Sequence, residues 1–113
     1  MPHSTVTNLL HLVWSTKSRK NTIPKNALVP LWEYFFGIGH NKSIPVIAAG
    51  GIQNHVHLAI ELPPTIKLSE AVVLFKSNSS RWLKEEQRVR GFEWQRGYGG
   101  FSFGRPQLAQ VKR

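Results

Sequence analysis

The chain has no cysteine, so no disulfide framework stands behind its fold. Nor does any apolar run approach the roughly 20 residues that a membrane span needs, and the N-terminus lacks a charged segment leading into a long apolar one. These absences read as a cytoplasmic protein, without a membrane role. Acid is scarce too. Six Asp and Glu face fifteen Lys and Arg, a formal charge of +9 and an isoelectric point near 10.5. Such an excess points to a polyanionic partner, with a plain solvated basic surface as the alternative. No basic amphipathic helix with a clean apolar face coincides with the charge, which favours nucleic acid over an anionic membrane.

What is present suits a packed core. Apolar residues make up 41% of the chain and aromatics 11%, with four Trp and six Phe. At 113 residues this is one small domain, spanning 1–113. The charge is uneven. Between Gln87 and Arg113, Arg88, Arg90, Arg96, Arg105, Lys112 and Arg113 stand against Glu93 alone, and the segment also holds five of the nine glycines.

Along the chain, "TNLLHLVWSTK" alternates, with Leu10, Leu12 and Trp14 on one side and His11, Val13, Ser15 and Lys17 on the other. That is the period of a half-buried strand. After the turn-like "SRKNTIPKN", Leu28, Leu31, Trp32, Phe35 and Ile38 follow helical spacing, with Gly37 and Gly39 as the expected stop. With Asn26 as N-cap, Pro30 falls near the end of the first turn; otherwise the helix starts later. "SIPVIAAGGIQ" reads as a second strand and "GGIQNHVHLAIELPP" as a third. In the third, Ile52, Val56, Leu58 and Ile60 are expected to face the core, and Gln53, His55, His57, Ala59 and Glu61 the opposite side. A second helix follows, its buried stripe running through Leu68, Val72, Phe75, Ser79 and Trp82 or Leu83. "FEWQRGYGGFSFG" supplies a last strand and turn, and "PQLAQVKR" the opening of a helix. The order strand, helix, strand, strand, helix, strand predicts an α+β, ferredoxin-like βαββαβ sandwich, a four-stranded antiparallel sheet with both helices on one face.

His55 and His57 lie two apart on one strand, about 6.5–7 Å from each other, where two imidazoles can lean toward one metal ion. A surface or hydrogen-bonded histidine pair is the plainer alternative. Two ligands do not complete a site, so a third protein atom, water or substrate must. Glu61 shares the face but lies four residues on, and His11 in the neighbouring strand is a further candidate.

Taken together, "HLVWSTKSRK", "GGIQNHVHLAIELPPT", "FKSNSSRW" and "WQRGYGGFSF" closely resemble the insertion-sequence 200-like transposases, single-strand tyrosine-HUH DNA transposases, and their relatives associated with repetitive extragenic palindromes. The blocks stand in the family's order over nearly the whole chain. Asn54 departs from the family's usual Asp before the first histidine, which bears on support for His55. The resemblance implies a homodimer that recognises hairpins in single-stranded DNA and cleaves and rejoins a strand through a phosphotyrosine link. It implies, too, a Mg²⁺ or Mn²⁺ ion held by His55 and His57.

The family's nucleophilic tyrosine lies on a helix after the last strand, with a glutamine one turn later that commonly supplies the third ligand. "QLAQVKR" matches the positions just before that tyrosine, so the expectation is a chain truncated at its catalytic helix, the nucleophile falling just after Arg113, that binds DNA without cleaving it. Tyr98 in "WQRGYGGFS" is a weak substitute between glycines, and Tyr34 reads as packing. Candidate DNA contacts are Lys76, Ser80, Arg81 and Lys84 on the second helix, with Arg96 and Arg105 beyond it. The main alternative is a non-enzymatic single-stranded nucleic-acid-binding module on the same topology, although the exposed sheet face lacks the aromatic pair such platforms use. A phosphoesterase with two paired-histidine motifs is a further alternative, but only one such pair is present.

Overall fold

The computed structural model describes residues 8–102. Its elements are β1 (Leu9–Ser15), α1 (Leu28–Lys42), β2 (Val46–Ile52), β3 (His55–Glu61), α2 (Leu68–Glu85) and β4 (Gly99–Ser102). All strand pairs are antiparallel and the sheet order is β2-β3-β1-β4, the split βαβ ferredoxin-like arrangement expected from the sequence. The helix anticipated in "PQLAQVKR" lies outside the described residues, as does Arg105.

Alternation in β1 and β3 decides which face each side chain takes. Leu10, Leu12 and Trp14 join Val56, Leu58 and Ile60 in the core, under Leu31, Phe35 and Ile38 of α1 and Val72, Phe75 and Leu83 of α2. Trp14 packs edge-on against Phe35 and Trp94 at 5.8 Å from each. Within α2 the stripe is Ala71, Val72, Phe75, Ser79 and Leu83, while Trp82 is half-buried and stacks on Tyr34 at 5.0 Å.

Three local expectations change. A short 3-10 turn over Lys25–Ala27 leads into α1, so the N-cap is Ala27, not Asn26. Pro30 is then the third helical residue, where the missing N–H had no intrahelical partner to lose. Second, α1 runs through Gly37 and Gly39 to Lys42 and stops at Ser43, whose left-handed backbone (φ 58°) turns the chain. Gly39 serves close packing instead: a Cβ there would press on the Ile44 carbonyl and come within 2.7 Å of the Val46 side chain.

Third, Ile52 does not face the core. It is 55% exposed and pairs with His55, so it shares the histidine face. The tight turn at Gln53–Asn54 breaks the alternation that had assigned it inward. Two residues before the turn, Gly51 lets β2 lie close against β3, with φ 136° and a Cβ position only 2.8 Å from the Cα of Val56.

Candidate active site and nucleic-acid interface

The sheet face away from the helices carries His11, Val13 and Ser15 from β1 beside His55 and His57 from β3. Register sets Val13 opposite His57 and Ser15 opposite His55. On the other flank, edge strand β2 places Gly50 opposite His57, with no atom of the described residues within 4 Å of where its Cβ would sit. The histidines therefore have room beside them.

Hydrogen bonds fix their chemistry. Asn54 donates through Nδ2 to the Arg19 carbonyl at 3.3 Å, which turns its Oδ1 toward His55 Nδ1 at 2.9 Å. An amide oxygen can only accept, so His55 carries its proton on Nδ1 and keeps a lone pair on Nε2. His57 Nδ1 lies 3.1 Å from His11 Nε2, and the two rings stack with centroids 5.1 Å apart. Burial lowers the His57 pKa, and positive charge on His11 and then on His55 lowers it further; burial lowers His11 as well. Both rings thus favour the neutral form that a metal ligand requires.

This donor set fits a divalent cation at two points: Nε2 of His55, and Nε2 of His57 when its Nδ1 donates to His11. The histidine rings of β3 stand 4.9 Å apart. Among the described residues no group of three or more His, Asp or Glu side chains converges as a complete metal cage. Glu61 sits at the far end of β3, opposite Leu9, roughly 13 Å along the strand from His57.

A cleft of about 430 Å³ spans these histidines and is lined by Val13, Ser15, Arg19, Gln95, Arg96 and Tyr98 among others. Among the described residues its charged lining is cationic, with no carboxylate. Arg19 reaches it from the tight turn Lys17–Lys20, in which Ser18 and Arg19 both hold left-handed backbone (φ 58° and 53°). Each such non-glycine residue costs about 1–2 kcal/mol. The turn is stitched down on both sides. Lys17 N–H donates to the Glu93 carbonyl, Ser18 N–H to the Gln95 side chain, and Thr16 Oγ1 to the Lys20 carbonyl.

Segment 93–98, which bears Arg96 and Tyr98, hangs on α2. Trp94 donates its indole N–H to the buried Ser79 hydroxyl at 3.0 Å, and Ser79 donates to the Lys76 carbonyl. Lys76 Nζ donates to the carbonyls of Gln95 (2.7 Å) and Gly97 (2.9 Å), and burial lowers its pKa. Against this segment lies a second, mainly apolar cavity of about 560 Å³, lined by Val72, Val73, Lys76, Ser80, Trp94 and Tyr98 among others.

Of the residues singled out from sequence, the structure thus gathers His55, His57, Arg96 and Tyr98 at one cleft, with His11 alongside. Lys76 and Ser80 join Arg96 at the adjacent cavity. Arg81, which donates to Asn78, and Lys84 are exposed on α2 outside both. Arg19 and Gln95 were missed. The basic "KSRK" was visible in the sequence, but nothing there signals a left-handed turn.

A family model described as IS200-like transposase matches residues 5–113. The chain belongs to the IS200-like transposase family. Its membership makes DNA the partner class. No curated protein matches by sequence. Among solved structures, the fold is similar to that of a protein assigned as a transposase from Deinococcus radiodurans R1, with TM-score 0.81 and 19% identity over 98% of this chain and 90% of that one. It is also similar to a REP-associated tyrosine transposase bound to a REP hairpin, with TM-score 0.62 and 10% identity. That match covers 97% of this chain, which spans 65% of the neighbour's length. Among the described residues no helix is long and apolar enough to cross a membrane.

Proposed function

We propose that this family member binds hairpin-bearing single-stranded DNA across its histidine face and holds one phosphodiester in the cleft between His55, His57, Arg19 and Arg96. The observation that carries the reading is the 2.9 Å contact of Asn54 Oδ1 with His55 Nδ1, which assigns the proton to Nδ1 and the lone pair to Nε2 in a residue that lines a cleft with cationic charged side chains. A Mg²⁺ or Mn²⁺ ion bound there would polarise the phosphate and offset the charge that builds on its oxygens. His55 and His57 would hold the ion, with water or DNA oxygen completing the set. The arginines draw the strand in and orient it.

Tyrosine chemistry in this chain has two candidates, Tyr34 and Tyr98. Tyr34 stacks on Trp82 and Tyr98 lines the cleft at 41% exposure between Gly97, at φ 83°, and Gly99. A residue mounted between two glycines is a poor attacking group, because covalent catalysis needs a held near-attack geometry. Tyr98 is therefore a cleft wall in this reading, and the 113 residues bind DNA without cutting it. The homodimer implied by the family resemblance would use the sheet edges, β2 or β4, which otherwise expose unpaired backbone.

Calorimetry tests the proposal. Mn²⁺ should bind the wild type, and His55→Ala with His57→Ala should abolish the heat; metal should also tighten retention of a hairpin oligonucleotide. Unchanged Mn²⁺ binding in the double variant removes the metal assignment. Metal-independent retention of DNA favours a plain nucleic-acid-binding module.

A further inference from the structure

The strain at Ser18 and Arg19 calls for a cause. Two adjacent non-glycine residues hold left-handed backbone in a turn whose ends are tied to segment 93–95 on one side and to Asn54 on the other. A relaxed turn would serve if the loop only joined β1 to α1. What this conformation achieves is visible in the cleft, where Arg19 stands with Arg96, His55 and His57. Asn54 links the two sides, donating to the Arg19 carbonyl while accepting from His55 Nδ1.

We infer that Arg19 is a phosphate-clamping residue of the histidine cleft, held over it by the strained turn, and that Asn54 locks the clamp to His55 so that both are set together. The ligand class is a phosphodiester monoanion, which a planar guanidinium can grip through two parallel N–H donors. The inference rests on the reading that this cleft takes DNA, and extends it to a residue and a linkage that the paired histidines alone do not imply. Asn54 is a positioning residue here: it touches no phosphate, and acts through the backbone of one neighbour and the imidazole of the other.

The test uses an oligodeoxythymidine strand and, as the smallest probe, diethyl phosphate. Lys42, exposed in the last turn of α1, gives a charge-matched control. Arg19→Ala is expected to weaken strand binding about tenfold and to lower the slope of affinity against salt by roughly 0.7. Lys42→Ala should do neither, and Arg19→Lys should restore the slope but not the affinity. Diethyl phosphate should shift the Arg19 Nε–H resonance in the wild type. Asn54→Leu should weaken binding and also convert the His55 nitrogen resonances from a single Nδ1–H tautomer to a mixture, a change that mere loss of stability would not produce. Equal effects of Arg19→Ala and Lys42→Ala overturn the clamp, as does an Arg19 resonance that ignores diethyl phosphate. An unchanged His55 tautomer in folded Asn54→Leu overturns the lock. A wild type that retains no strand removes the functional reading itself, and the clamp with it.

Discussion

His11 Nε2 lies 3.1 Å from His57 Nδ1, so one proton serves two rings on neighbouring strands. Whichever ring donates, the other must accept. Only donation by His57 leaves its Nε2 lone pair for a metal ion, so His11 as acceptor selects the ligating tautomer. His11→Ala should therefore weaken Mn²⁺ binding by about 10–100-fold while the protein stays folded. Calorimetry beside a thermal melt checks it; undiminished affinity would show that His57 needs no partner.

Acid should destabilise the fold through the same pair. His11 and His57 have pKa values below the ordinary 6.5, so the unfolded chain takes up protons first as pH falls. Their contribution is complete above about pH 6.5 and is lost progressively below it, down through the lowered folded values. The melting temperature should drop between pH 7 and pH 5, and the drop should be shallower in His11→Gln with His57→Gln. Parallel pH profiles would place the acid sensitivity elsewhere.

Ser79 looks like a misplaced polar residue in the buried stripe of α2, yet it accepts the indole N–H of Trp94. Ser79→Ala removes the acceptor and leaves that donor in an apolar setting, at a cost of about 1–3 kcal/mol. Urea denaturation measures it. The variant should also bind DNA less tightly, since Trp94 anchors the segment bearing Arg96. A loss of stability with binding intact would separate the two.

No covalent DNA adduct is expected on the 113-residue chain with Mn²⁺ and a hairpin strand. Mass spectrometry of the mixture decides. An adduct that vanishes in Tyr98→Phe would make Tyr98 a nucleophile after all.

The parts of this fold that were legible in sequence are those set by short-range periodicity. Leu10, Leu12 and Trp14 reveal the core face of β1, and Val72, Phe75 and Leu83 the stripe of α2, because burial repeats with the geometry of each element. Ile52 was misplaced because a tight turn resets that period, and the end of α1 because Gly39 answers to packing against Ile44 and Val46. The histidine pair was legible as a motif, and its tautomers were not. Those depend on Asn54 and His11, and on a turn held by residues some 35 to 77 positions away. Arg19 escaped notice for the same reason.

The position of Gly50 bears on how a long polymer reaches the histidines. They stand on an inner strand, separated from the rim of the sheet by a single edge strand that offers no side chain opposite His57. If the proposed reading holds and the dimer edge is β4, a nucleic-acid strand would be laid in sideways across β2, at any point along its length, without a free end to thread.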